Sequence, residues 1–399
     1  MKIAQRVLNI APSLTLEITA KAKKMKAEGI HVVSFGAGEP DFDTPEYIVK
    51  AAKYALDHGM TKYTPASGTE SLKKAVCAKL KKDNGLEYAP SQIVVSNGAK
   101  HALANAFFAI VEDGEEVIVP QPYWLTYPEL IKLAGGVPVF VPTDAAHSFK
   151  LTPEALRAAI TPKTRALLIN NPNNPTGAVY TRDEIEALAA VLRDYPDIYV
   201  VSDEIYEKLC YGTEPYSIAA ADGMQERTII INGVSKTYSM TGWRIGYTAS
   251  NASVAKAISS MQSHMTSNPN SIAQYAAEQA LSHKEGEEFL RTMRMTFDAR
   301  RRQIMRLLKE IDDTVEFIEP KGAFYVMVCV KNLYGKRLGG VKITSAHQFA
   351  EVLLDKKQVA VIPCESFGAD GYIRLSYAIS DADIVEGLTR IADFVSKAL

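Results

Sequence analysis

The sequence predicts an α/β protein built on a mainly parallel sheet, followed by a smaller α+β domain, and three observations carry that prediction. Short apolar runs rich in Val and Ile recur through the middle of the chain, segments with helical spacing separate them, and the pattern changes at a long charged stretch beyond residue 253. At 399 residues the chain is long enough for more than one core.

In chain order, the N-terminal segment offers one helix pattern and one strand, HVVSF at 31 to 35, too little to bury a core alone; it should pack onto the smaller domain. The central runs are QIVVS at 92 to 96, EVIVP at 116 to 120, VPVFV at 137 to 141, ALLIN at 166 to 170, IYVVS at 198 to 202, TIIIN at 228 to 232 and IGYTA at 245 to 249. Being apolar on both faces, they read as strands covered by helices on each side. Thr181 with Glu184 three residues later opens a helix in TRDEIEALAAVLRDY as a capping box. From Ser253 to Lys309 the spacing is helical, and the arginines of DARRRQIMRLLKEI read as a solvated helix face. GAFYVMV, QVAVI and YIRLSY then read as strands around a helix HQFAEVLLDKK. The expected division is an N-terminal segment over 1–44, a large domain over 45–290 and a small C-terminal domain over 291–399.

Composition excludes several classes. Hydrophobic residues are 47% and charged residues 23%, so disorder has no compositional support. Lys plus Arg is 45 against Asp plus Glu 46, a net charge of −1, without the basic excess of a nucleic-acid binder. Cys77, Cys210, Cys329 and Cys364 form no CxxC pair, and the seven histidines lack ligand spacing, so no zinc site, disulfide framework or other metal site is expected. Gln5, Arg6 and Asn9 interrupt the apolar N-terminus, which does not read as a signal peptide, and no apolar run reaches the roughly 18 residues of a membrane span. A cytoplasmic protein is expected. GAG at 36 to 38 fails as a dinucleotide fingerprint, because Asp41 takes the third glycine position and Pro40 and Pro45 break the segment.

The residues that carry chemistry stand where buried strands end, which is where open α/β sheets bind ligands. Asn97-Gly98-Ala99-Lys100 turns from a strand into a helix, and a lysine in a first helical turn opposes the dipole unless an anion lies beside it. A solvent-exposed lysine is the plain alternative. NPNNPTG at 171 to 177 makes a rigid loop that presents amide side chains. Asp203 ends an apolar strand, where it is either an acidic helix cap or a buried carboxylate that needs a cation. Lys236 follows another strand, with Arg244 eight residues later. Singly, each cation is ordinarily a surface residue. Together they supply a Schiff-base lysine, a carboxylate for a pyridinium nitrogen and an arginine for a phosphate, the needs of pyridoxal 5′-phosphate.

With these residues in place the chain resembles the class I aminotransferases of pyridoxal-phosphate-dependent fold type I, and within them the bacterial aspartate aminotransferase subgroup. The resemblance runs through PS-x-T at 12 to 15, GAGEPDFDTP, KYTPASG, PYW, NPNNPTGAVY, VSDEIYE, SKTYSMTGWRIGY, GAFYV and the terminal RLSY, covering essentially the whole chain. The ordered set NPTG, SDEIY and SK-x(3)-MTGWR is the specific part.

The resemblance implies that Lys236 binds the cofactor covalently and, once displaced, moves the substrate proton. A lysine does so near neutral pH only if its pKa falls several units from about 10.4. It implies Asp203 on the pyridine nitrogen, Tyr206 and Asn174 on the phenolic oxygen, Trp124 stacked on the ring, and Gly98, Ala99 and Arg244 at the phosphate. Tyr63 matches a tyrosine given to the neighbouring subunit's phosphate, implying a homodimer with shared active sites. Arg374 matches the fork for the substrate α-carboxylate, approached also by Gly38 and Asn174, and Lys100 the position associated with a distal carboxylate, with Ser13 and Thr15 as further contributors. Some relatives carry a hydroxyl where this chain has Gly233, and a hydroxyl or glycine at Ala99, which shifts phosphate contacts to Ser235 and backbone amides. The implied reaction is L-aspartate plus 2-oxoglutarate to oxaloacetate plus L-glutamate, by a ping-pong mechanism. The alternatives are an aminotransferase for aromatic or other amino acids, or a carbon-sulfur β-lyase on the same scaffold.

Overall fold

The structure, a computed structural model, describes residues 3–10, 14–311 and 315–398. A seven-stranded sheet takes the order Ile93–Ser96, Gly246–Ala249, Thr228–Gly233, Tyr199–Asp203, Thr164–Asn170, Glu116–Pro120, Val137–Val141. Gly246–Ala249 runs antiparallel to both of its neighbours, and the remaining pairs are parallel. Six strands therefore finish at the same edge, so the turns after Ser96, Pro120, Asn170, Asp203 and Gly233 open side by side.

Helices cover both faces. Ala99–Ile110 and Ala252–Met265 pack on one, through Leu103, Phe107 and Ile258 against Val94, Val119 and Ile231, and Arg182–Arg193 packs on the other through Ile185 and Leu188. That last helix has the expected capping box, Thr181 accepting from the Glu184 N–H while Glu184 accepts from the Thr181 N–H at 2.8 Å. One expectation fails. VPVFV is not buried on both faces: Val137 is 46% and Phe140 40% exposed, because this strand is the sheet edge and has a single neighbour.

The 25-residue helix Glu285–Lys309 leads into an antiparallel four-stranded sheet ordered Ile362–Pro363, Tyr372–Ser376, Tyr325–Cys329, Glu316–Phe317. Val33–Ser34 pairs in parallel with Val359–Ala360, which joins the N-terminal segment to this part of the chain. The arginines of the long helix correct a second expectation. Arg300 is held by Asp41 and Asp381, both at 2.9 Å. Arg301 donates to Asp298 and Glu319 at 2.9 Å and to the Pro320 carbonyl at 3.0 Å, and lies over the Tyr211 ring. Arg302 alone of the three keeps a mostly exposed side chain. Asp298 lies on the same helix, but Asp41, Glu319 and Asp381 come from other parts of the chain, so helical spacing could not reveal them. Among the described residues no helix is long and apolar enough to cross a membrane.

Candidate active site

A cavity of about 400 Å³ opens beyond the shared strand edge and is closed on its far side by residues of the four-stranded sheet. Among the described residues its lining holds four cations, Lys100, Lys236, Arg244 and Arg374, against one carboxylate, Asp203. Such an excess of positive charge, partly withdrawn from water, fits anionic ligands.

Lys236 stands three residues past the end of Thr228–Gly233. Its Nζ donates to the Gly38 carbonyl, and the rings of Tyr206 and Phe324 lie 5.9 and 5.8 Å away. Burial lowers its pKa, Glu39 and Asp203 oppose the fall, and Arg374 and Arg244 add to it, leaving the amine at about 8. Asp203 ends its strand 3% exposed. Burial lifts its pKa to about 6 against the pull of the Tyr127 hydroxyl, which donates at 2.8 Å, the Ile205 N–H and Lys236. The carboxylate is thus short of a positive partner.

The loop after Thr164–Asn170 is fixed from within. Asn170 donates to the Asp203 carbonyl at 3.0 Å and accepts the Asn174 N–H at 2.9 Å. Asn174 Oδ1 accepts from Arg374 Nη1 at 2.9 Å, which leaves its amide N–H groups available to another acceptor. Arg374 is buried, its Nη2 reaches the Gly36 carbonyl at 3.5 Å, and its Nε has no hydrogen-bond partner. A buried, unpartnered guanidinium donor is costly.

The corner around Gly98, Arg244 and Gly246 is shaped by missing side chains. Gly98 caps the helix Ala99–Ile110 at φ +88°, and a Cβ there would stand 2.2 Å from Arg244 Nη2. A Cβ on Gly246 would come within 2.3 Å of the Ala99 nitrogen. The same close packing leaves no room at Gly233, where a Cβ would lie 2.8 Å from the Ile245 carbonyl, so the hydroxyl of some relatives has no place here. Arg244 donates to the Thr241 carbonyl at 2.8 Å. Lys100 lies in the first helical turn, as read from sequence, with its Nζ 4.8 Å above the Trp124 ring; burial and Arg244 push its pKa down.

Of the residues singled out from sequence, Gly38, Ala99, Lys100, Trp124, Asn174, Asp203, Tyr206, Ser235, Lys236, Arg244 and Arg374 line this one cavity, and Gly98 borders it through Arg244. Tyr63 does not. It is 88% exposed, beside Met60 and Thr64 at a separate surface hollow. Ser13 and the Thr15 side chain lie outside the described residues. Sequence reasoning missed Tyr127, Asn170, Tyr325 and Phe367. Asn170 and Tyr325 stood inside quoted runs, but nothing local marked them as facing a site.

The chain matches the profile of the family "Aminotransferase class I and II" over residues 30–391. It is 48% identical over 395 residues to the aspartate aminotransferase of Bacillus sp. (strain YM-2), spanning 98% of this chain and 99% of that one. Among solved structures it resembles the aspartate aminotransferase from Rhizobium meliloti, at TM-score 0.96 and 40% identity over all of both chains. It also resembles that from Thermus thermophilus with maleate, at TM-score 0.93 and 40% identity over 99% of this chain and all of that one. The chain belongs to the class I and II aminotransferases.

The raised pKa of Asp203 has a consequence for stability. Its folded value of about 6 exceeds the ordinary 3.8, so its contribution is most favourable below the ordinary value and is lost as pH rises through about 6. Thermal unfolding of the cofactor-free protein should show Asp203→Asn gaining on the native chain from about pH 4 to about pH 8, by at most about 3 kcal/mol. A gap that stays constant across that range would mean that the carboxylate is not destabilised.

Proposed function

We propose that this chain is a pyridoxal 5′-phosphate-dependent aspartate aminotransferase, passing the amino group of L-aspartate to 2-oxoglutarate through two half-reactions at one site. The observation that carries the reading is Arg374, buried and held by Asn174, lining the same cavity as a lysine whose pKa has fallen to about 8. When bound, the cofactor supplies a pyridine ring that stabilises the carbanion left by loss of a substrate proton.

The residues fit that group. Lys236 Nζ would hold the cofactor through its aldehyde and would serve as the base that takes the proton from the substrate Cα; with a pKa of about 8 a useful fraction is neutral near pH 7. Asp203 would keep a proton on the pyridine nitrogen, and a positive charge there would answer the shortfall that lifts its own pKa. Tyr206 and the free amide of Asn174 would donate to the phenolic oxygen, and Trp124 would cover a ring face. The Ala99 backbone, Ser235 and Arg244 would receive the phosphate at the helix N-terminus. Arg374 grips the α-carboxylate as a bidentate fork, oriented by Asn174.

Lys100 carries the dicarboxylate preference in this reading. It is the remaining cation of the lining, seated over Trp124 where a side-chain carboxylate would lie, and the Thermus thermophilus relative was solved with maleate, itself a dicarboxylate. Replacing it should therefore act on acidic donors alone. The exposure of Tyr63 supports a homodimer in which this tyrosine completes the neighbouring phosphate site.

Across a panel of amino donors, L-aspartate should give the highest kcat/KM, and Lys100→Met should lower it about 10- to 100-fold for aspartate and glutamate with little change for alanine. An aromatic donor in first place, or an equal loss for alanine, would defeat the dicarboxylate assignment. Mixing inactive Lys236→Ala chains with Tyr63→Ala chains should regain activity, because each hybrid dimer holds one site with both native residues. Confirmed hybrids without recovery would refute shared sites.

A further inference from the structure

We propose that Tyr325 is a positioning residue with two separable roles: its hydroxyl strengthens Tyr206 as a donor to the cofactor's phenolic oxygen, and its ring holds the Arg374 guanidinium in place for the substrate carboxylate. The inference rests on the roles given to Tyr206 and Arg374 above.

The strand register creates the second contact. Tyr325 pairs with Ser376 across the antiparallel ladder, and Arg374 stands two residues further along, on the same face and diagonal to it. The guanidinium carbon sits 4.3 Å from the Tyr325 ring centroid. Both side chains are buried, so this cation–π contact is little weakened by water. The ring thus limits how the guanidinium fork can tilt.

The first contact crosses from the small sheet to the large one. The Tyr325 and Tyr206 hydroxyls are 3.1 Å apart and their rings meet edge to face at 5.9 Å. Backbone hydrogen bonds fix the approach: the Ala323 N–H donates to Leu209 and the Tyr211 N–H to Lys321, both at 2.8 Å. The Tyr211 hydroxyl adds a bond to the Ala323 carbonyl at 2.6 Å. Tyr206 has one hydroxyl hydrogen. If it is given to the phenolic oxygen, the Tyr206 oxygen can only accept, and the hydroxyl beside it belongs to Tyr325. Accepting that bond polarises the Tyr206 O–H and makes it a stronger donor.

The direction of the effect follows. A stronger donor favours negative charge on the phenolic oxygen and hence loss of the proton shared with the lysine-linked nitrogen. Removing the Tyr325 hydroxyl should raise the pH at which that proton leaves. The charged groups that face Lys236 and Tyr325 are Glu39, Asp203, Arg244 and Arg374, and a Tyr325→Phe substitution retains all of them.

The test is a pH titration of the holoenzyme, read as the absorbance of the lysine-bound cofactor, for the native chain, Tyr325→Phe, Tyr206→Phe and the double variant. Tyr325→Phe should raise the midpoint by about half a unit to one unit, as loss of one neutral hydrogen bond implies. Tyr206→Phe should raise it further, and the double variant should match Tyr206→Phe alone. KM for the amino donor should stay within about twofold in Tyr325→Phe and rise about tenfold in Tyr325→Leu, which removes the ring beneath Arg374. An unchanged midpoint in Tyr325→Phe beside a raised one in Tyr206→Phe would overturn the role of the hydroxyl. Additive shifts in the double variant would show that it does not act through Tyr206, and an unchanged KM in Tyr325→Leu would overturn the role of the ring. Unchanged midpoints in both single variants would instead remove the reading of Tyr206 on which the inference rests.

Discussion

The alignment of strand ends at one edge of the seven-stranded sheet is the constraint on which the site depends. Parallel strands need helical crossovers, and those crossovers return each chain segment to the same starting edge, so the opposite edge collects the turns. Residues far apart in sequence, such as Lys100, Asn174, Asp203 and Lys236, reach one cavity by this means. The exception has a use. Gly246–Ala249 runs against its neighbours, so Arg244 enters the same edge from the start of a strand rather than the end of one, and Gly246 lets the helix N-terminus approach it closely.

Charge and desolvation then set the chemistry. The same burial that lowers Lys236 to about 8 lifts Asp203 to about 6, and in both cases the charged form is the one penalised. A chain with four cations and one carboxylate around a cavity is arranged for ligands that bring negative groups with them. The stability lost to these groups is compensated by cores elsewhere, including the layers of Ile, Val and Leu on both faces of the large sheet.

Much of this was legible in the sequence because the informative residues are local signals. Runs of Val and Ile located the strands, Thr181 and Glu184 located a helix start, and the glycine turns into Lys100 and Lys236 marked the cavity edge. What escaped detection was tertiary. VPVFV has the composition of a buried strand, and only the sheet order shows it to be an edge. Arg300 and Arg301 look solvated until Asp41, Glu319 and Asp381 are brought against them. Tyr127 and Tyr325 have ordinary core surroundings in sequence; what sets them apart is the Tyr127 hydroxyl contact with Asp203, and for Tyr325 a hydroxyl contact with Tyr206 and a ring contact with Arg374.

The most direct test of the central claim is an absorption spectrum of the protein with pyridoxal 5′-phosphate, titrated with L-aspartate in the absence of any oxo acid, with Lys236→Ala alongside. The account predicts that the native chain forms the lysine-bound chromophore, that aspartate converts it to the amine form with one equivalent of oxaloacetate per site, and that Lys236→Ala forms no such chromophore. A native chain without the chromophore, or a Lys236→Ala chain that completes the same conversion at the same rate, would contradict it.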